Sequence, residues 1–175
     1  MLIRLDTRFI SSVTKVGRRM FPIISVSITG LDPDKMYTVE LSFEQMNSHR
    51  WRYITGAWQI GLKPDPPVHY APYQHPDSPN YGRTWMKEPI SFSKVKLTNK
   101  LDRMAPNQVL LNSLHKYQPR ISIIDVLSKQ KLFETAFIET EFIAVTAYQN
   151  EDVKALKIRH NPFAKAFLDP NTMKQ

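Results

Sequence analysis

Cysteine is absent from this chain of 175 residues. That removes disulfides, thiol catalysis and Cys-ligated zinc in one step, and it fits a reducing compartment. Glycine is scarce, with five in all. A phosphate-cradling loop is therefore not expected, and no GxGxxG, P-loop or GxSxG elbow occurs. No run approaches the ~18 apolar residues of a membrane span, and no basic-apolar-small signal peptide opens the sequence. The histidines, His49, His69, His75, His115 and His160, show no close metal-ligand spacing. Asp65, His75 and Asp77 remain as acid–base candidates. The chain is read as a non-enzyme without metal or cofactor.

Positive charge and proline are what the chain has in plenty. There are 24 Lys+Arg against 16 Asp+Glu, a formal net charge of +8. Such an excess favours polyanion partners, nucleic acid first and an anionic surface second. At 42% hydrophobic and 23% charged the composition is that of an ordinary globular domain with room for a substantial core. The sequence begins almost inside its first motif and stops soon after its last, as an excised domain of a longer protein would. We expect one domain over 1–170 and a tail over 171–175.

The period-two run from Met36 to Met46 predicts a strand with Tyr37, Val39, Leu41 and Phe43 on its apolar face. Further strands are expected at Phe21–Thr29, Arg50–Tyr53, Ala57–Gln59, Ser91–Leu97, Gln108–Leu111, Arg120–Val126 and Glu141–Ala147. Gly30 to Asp34 suits a turn. Many short strands between turn signals predict a mainly β fold, a sandwich or barrel. Lys63 to Pro79 carries six prolines; their fixed φ angles and missing donors predict loop throughout, a rigid cover over one end of the sandwich. Helix is predicted only near the C-terminus. Asn150 caps a first short helix and Asn161-Pro162 starts a second that stops at Asp169-Pro170.

Basic residues cluster in three places. Arg4, Arg8, Lys15, Arg18 and Arg19 stand near the start; Lys87, Lys94, Lys96, Lys100 and Arg103 in the middle; Lys154, Lys157, Arg159, Lys165 and Lys174 at the end. Lys94 and Lys96 are expected on one face of one strand. Each cluster alone suits a solvated face; together they resemble a phosphate-tracking surface. In Thr14 to Pro22, TKVGRRMFP, three basic residues surround Gly17 just before an apolar strand entry. A turn pinned in this way presents a guanidinium fork that reads guanine edges or clamps phosphates; a solvated basic turn is the plainer alternative. Phe163 and Phe167, at i and i+4 beside Ala164, Ala166 and Lys165, form an apolar wedge on a basic helix. Such a wedge enters a minor groove or docks on its own sandwich, and spacing alone favours docking.

Eight runs resemble the T-box DNA-binding family, in family order and over nearly the whole chain. They are TKVGRRMFP (Thr14–Pro22), GLDP (Gly30–Pro33), HRWRY (His49–Tyr53), HPDSPNYG (His75–Gly82), WMKEPISFSKVKLTNK (Trp85–Lys100), LNSLHKYQPR (Leu111–Arg120), FIAVTAYQNE (Phe142–Glu151) and LKIRHNPFAKAFLD (Leu156–Asp169). Lys100 and the Ala166–Leu168 variant of the last helix point to one branch of that family; other branches commonly carry Asn, Gly and Arg at Lys100, Ala166 and Leu168. The resemblance implies an immunoglobulin-like β-sandwich with C-terminal helices. It implies a nuclear, sequence-specific transcription factor that reads double-stranded DNA at TCACACCT-type half-sites. Family members bind palindromic sites in two copies, so a homodimer on DNA is implied as well. Arg18 would read guanine and Arg19 would serve phosphate or structure. Pro162, Phe163, Ala164 and Phe167 match the minor-groove residues. Lys100, Arg120, Thr146, Lys154, Lys157 and Lys165 match phosphate contacts. The alternative from another class is a basic β-sandwich module for an acidic protein or anionic surface.

Four departures from the family pattern stand out. The segment Arg8–Lys15 is degraded, Val16 precedes Gly17 where a small or polar residue is common, Asp125 stands where Arg is usual, and Leu127–Phe133 is short.

Overall fold

The computed structural model describes residues 2–5, 17–61, 63–100 and 105–146. In chain order the strands are β1 (Leu2–Leu5), β2 (Arg18–Arg19), β3 (Ser25–Thr29), β4 (Met36–Gln45), β5 (Trp51–Ile54), β6 (Ala57–Ile60), β7 (Tyr73–Gln74), β8 (Asn80–Tyr81), β9 (Ile90–Ser91), β10 (Lys96–Thr98), β11 (Gln108–Leu110), β12 (Lys116–Asp125), β13 (Lys131–Ala136) and β14 (Phe142–Ile143). One helical turn, α1 (Gly82–Trp85), and a 3-10 turn at Ile138–Thr140 interrupt them.

The strands form a main sheet ordered β13-β12-β4-β7, two smaller sheets, β1-β3-β9 and β11-β10-β2, and the β5-β6 hairpin. One continuous apolar core joins the main sheet to both smaller ones. β4 shows why. Its Tyr37, Val39, Leu41 and Phe43 are buried while Thr38, Glu40 and Ser42 alternate outward. Each such burial contributes about 1.5–3 kcal/mol. β12 lies antiparallel to β4 over nine residue pairs, Tyr117↔Gln45 to Asp125↔Tyr37, and sends Ile121 and Ile123 into the same core. The mainly β expectation is met.

The prolines act locally. β12 runs through Pro119, which has no N–H to give a ladder. β13 reaches it only to Arg120 and β14 only to Tyr117, so Pro119 sits in the gap between two partners on that edge. The proline-rich segment is not loop throughout: Tyr73–Gln74 form β7 against Glu40 and Leu41. Pro72 and Pro76 flank these two residues but leave both their N–H groups in place. Helix is also not confined to the C-terminus. α1 starts at Gly82, where an added Cβ would lie 2.1 Å from the Asp32 carbonyl oxygen. Only glycine lets the two backbones approach so closely.

The expected strand Ser91–Leu97 is two strands of different sheets. The Val95 N–H bonds the Phe92 carbonyl at 3.2 Å and turns the chain between β9 and β10. Lys94 therefore lies in that turn and does not share a strand face with Lys96, a correction to the pattern reading. Within the described residues the Glu141–Ala147 expectation is met by β14, and Ala147 lies outside them. The Phe21–Thr29 strand begins only at Ser25, and the Arg120–Val126 strand starts earlier, at Lys116.

Candidate nucleic-acid interface

β2 is two arginines long, and register decides what each does. Arg19 stands opposite Lys96 and Arg18 opposite Leu97; across β10, Lys96 faces Gln108 and Leu97 faces Val109. Opposed residues project to the same side of a sheet. Arg19, Lys96 and Gln108 thus form an outward polar row. Arg18 shares its side with Leu97 and Val109, both fully buried, and is itself half-buried where Arg19 is exposed. An arginine stem laid along apolar surface holds its guanidinium in few orientations. Gly17 opens the strand with φ +79. A Cβ there would meet Gln108 Nε2 at 2.7 Å, the movable end of a flexible side chain, so it is the left-handed conformation that demands glycine.

Hydrogen bonds tie the end of the sheet beside Gly17 into one unit. The Thr98 hydroxyl accepts the Lys100 N–H at 3.2 Å and folds the chain back at the end of β10. The Thr98 carbonyl accepts Leu111 N–H at 2.8 Å. Asn99 Nδ2 donates to Ser113 Oγ at 2.9 Å. Leu114 follows with φ +63, a left-handed conformation that costs a non-glycine residue about 1–2 kcal/mol. Two bonds fix it: its N–H to the Ala144 carbonyl and its carbonyl to the Trp51 N–H, each 2.7 Å. Lys100 and Thr146, exposed residues far apart in sequence, are thereby linked through a few bonds to each other and to the strand that carries Arg18.

His115 buttresses this unit from below. It is fully buried. Its Nδ1 lies 3.0 Å from the Ser113 carbonyl, and its Nε2 accepts the Asp65 N–H at 3.3 Å. This pairing fixes the tautomer with the proton on Nδ1. The Asp65 carboxylate in turn receives Arg50 Nη1 at 3.2 and 3.3 Å. Lys116, beside His115, pairs with Glu141.

Arg120 sits elsewhere. It lies four residues along β12 from Lys116, about 13 Å at strand rise, on the outer face of the main sheet. There it bonds the Glu44 carboxylate and lies 3.4 Å from Glu134. Glu134 also receives Ser122 Oγ at 3.0 Å and Lys131 Nζ at 2.6 Å. The Lys131 bond, first among the causes, holds its carboxyl below the usual range. This face carries its own counter-charges.

His75 is structural. Its Nε2 meets the Ser91 carbonyl at 3.2 Å, and its Nδ1 accepts the Asp77 N–H at 3.2 Å. The ring stands edge-on to Trp85 and Phe92, with centroids 5.5 and 5.3 Å away. Burial pushes the imidazole below its ordinary value. With both nitrogens engaged and Asp65 tied to Arg50, the acid–base candidates serve as fasteners of the proline-rich cover.

Asp125, one of the departures noted in the sequence, closes the β12–β13 hairpin. Its Oδ1 accepts Ser128 N–H at 2.7 Å and Ser128 Oγ at 3.1 Å. The backbone bond, the leading cause, keeps its carboxyl below the usual value. The short Leu127–Phe133 segment is this hairpin.

Pattern reasoning missed Asn99, Ser113 and Leu114. The LTNK and LNSLH runs contain them, but only the fold brings those runs together. Lys15, Val16, Lys154, Lys157, Pro162, Phe163, Ala164, Lys165 and Phe167 lie outside the described residues, as do the stretches where two C-terminal helices are expected and the Arg8–Lys15 departure. Among the described residues no helix is long and apolar enough to cross a membrane, and no group of three His, Asp or Glu side chains could hold a metal ion.

The T-box family model matches residues 6–169. The chain is 60% identical over 158 residues to T-box transcription factor T of Xenopus laevis, covering 90% of this chain and 36% of that protein. It is 59% identical over 158 residues to T-box transcription factor T-A of Danio rerio, covering 90% and 37%. It is 59% identical over 160 residues to T-box transcription factor T homolog 2 of Branchiostoma floridae, covering 90% and 36%. The chain thus spans little more than a third of the length of the curated relatives it matches. These relatives are of the Brachyury type, the branch to which Lys100 and the Ala166–Leu168 variant point. A match over most of the sequence, at this identity and on a mainly β fold, settles the family: the chain belongs to the T-box family.

Proposed function

We propose that the chain is a Brachyury-like, sequence-specific domain for double-stranded DNA, acting in the nucleus as part of a transcription factor. The observation that carries this reading is the single bonded end of the sandwich formed by Gly17-Arg18, Thr98–Lys100, Leu111–Leu114 and Ala144–Thr146. Three of the proposed DNA residues, Arg18, Lys100 and Thr146, stand on it. Arg18, on the same side of the sheet as Leu97 and Val109, reads guanine in the major groove of a TCACACCT-type half-site. Arg19, in the outward row with Lys96, meets phosphate. Lys100 and Thr146 fix the register on the backbone, and Lys154, Lys157 and Lys165 extend that contact. Pro162, Phe163, Ala164 and Phe167 enter the minor groove. Phosphate contacts supply most of the affinity and its salt dependence, and base contacts supply the choice of sequence. Arg120 belongs to the outer-face ion cluster and contributes stability instead. On a palindromic site two copies bind.

Selection from a random duplex pool tests the proposal. Enrichment of TCACACCT-type sequences supports it, and paired half-sites at fixed spacing support two copies. Recovery of unrelated sequences, with equal retention on heparin, supports the basic interaction module.

A further inference from the structure

Neither the family's pattern of contacts nor the charge clusters give a role to the Asn99–Ser113 pair, yet it occupies a critical joint. Asn99 is flanked by Thr98, which is fully buried in β10, and by Lys100, which is exposed. Its amide reaches across to Ser113 Oγ at 2.9 Å. Ser113 is engaged a second time, through its carbonyl, by the buried His115 ring at 3.0 Å. The next residue is Leu114, held left-handed by bonds to Ala144 and Trp51. Ser113 therefore couples the exposed end of β10 to a turn held by two backbone bonds. The Thr98 hydroxyl bonds Lys100 twice, accepting its N–H at 3.2 Å and donating to its carbonyl at 3.4 Å. Those bonds fold the backbone at Lys100 back on β10, and the Asn99 side chain ties the 99–100 segment across to Ser113.

We infer that Asn99 and Ser113 are positioning residues that aim Lys100 at a DNA phosphate, an inference that rests on the DNA-binding reading above. A flexible lysine pays for its freedom when it meets one phosphate oxygen, and a segment fixed beforehand reduces that cost. The clasp touches no DNA itself. Its contribution appears as the placement of one cation, and a single phosphate contact has a recognisable signature in the salt dependence of binding.

The test compares Asn99→Ala, Ser113→Ala, Ser113→Thr, Lys100→Ala and the double variant Asn99→Ala/Lys100→Ala in the 175-residue chain. Affinity for a T-site duplex is measured over a range of salt, beside the melting temperature of each protein alone. Asn99→Ala and Ser113→Ala should each lower affinity about threefold to tenfold and reduce the magnitude of the log–log salt slope by up to about one. Ser113→Thr, which keeps the hydroxyl, should restore both. The double variant should bind no more weakly than Lys100→Ala alone, because coupled residues are not additive. An unchanged salt slope in Asn99→Ala and Ser113→Ala overturns the inference, as does full additivity with Lys100→Ala. A lower melting temperature with unchanged affinity reduces the pair to a structural role and overturns it equally. Wild-type protein that fails to distinguish the T-site from scrambled duplex refutes the DNA-binding reading instead, so the two failures are separable.

Discussion

Arg18 stands opposite Leu97 on the antiparallel strands β2 and β10, one step out of phase with the Arg19–Lys96 pair. Two adjacent arginines are thereby sent to opposite sides of a three-stranded sheet. One lies beside buried aliphatic residues and the other in an outward basic row. Their variants should separate. Arg18→Ala should cost about 1–3 kcal/mol of binding and relax discrimination at one guanine. Arg19→Ala should weaken specific and scrambled duplexes alike and reduce the salt slope by about one. Titrations of both variants on a T-site duplex and on single-base variants of it check this; equal losses for Arg18→Ala on all duplexes contradict it.

Gly17 sets the strand that carries Arg18. With φ +79 and the Gln108 amide 2.7 Å from an added Cβ, Gly17→Ala should destabilise the protein by about 1–2 kcal/mol. The Gln108 end can swing aside, so most of the cost is backbone strain. Gly17→Ala/Gln108→Ala should therefore recover little of it. Chemical denaturation of both proteins measures the difference, and full recovery in the double variant places the cost in the clash.

Arg120 offers a direct contest between sequence pattern and geometry. Its partners Glu44 and Glu134 satisfy it on the outer sheet face. Partly exposed ion pairs are worth little individually, and this network is held to about 1 kcal/mol. Arg120→Ala should lower stability by that order and leave the DNA salt slope unchanged. A slope reduced by about one, with stability intact, returns Arg120 to the phosphate contacts.

His75 gives the fold a pH dependence of defined sign. Burial, the leading cause, lowers its pKa below the ordinary 6.5, so the unfolded chain takes up the proton first as pH falls. The stability supplied by the neutral ring is complete above 6.5 and is lost as pH falls from there through the lowered folded value. His75→Gln should be less stable at neutral pH, since it loses the edge-on contacts to Trp85 and Phe92. It should also lose less stability on acidification than wild type. Melting curves at neutral and mildly acidic pH check this; parallel losses in the two proteins contradict it.

The sequence made β4 legible because its alternation is uninterrupted and one face is wholly buried. It concealed β13, whose Leu132 remains half exposed and whose pairing to β12 slips at Ile123/Ile124. A bulged edge strand lacks the clean period on which such reading depends. Ser91–Leu97 misled for the opposite reason: the apolar positions Phe92, Val95 and Leu97 are all buried, but a turn and two sheets achieve it. Arg18 and Lys100 were legible as basic residues within motifs. Their shared end was not, since it depends on bonds between runs such as Asn99–Ser113 and Leu114–Ala144. Asp125, conspicuous as a departure, is explained by its Ser128 partner three residues on.

The central claim is that this end of the sandwich recognises a particular duplex rather than polyanions in general. Its most direct measurement is the ratio of affinities for a TCACACCT-containing duplex and a scrambled duplex of equal length at physiological salt. The account predicts a ratio of about a thousandfold or more, as specific recognition requires, and weak competition by heparin. A ratio near one, with heparin competing as well as DNA, would contradict it.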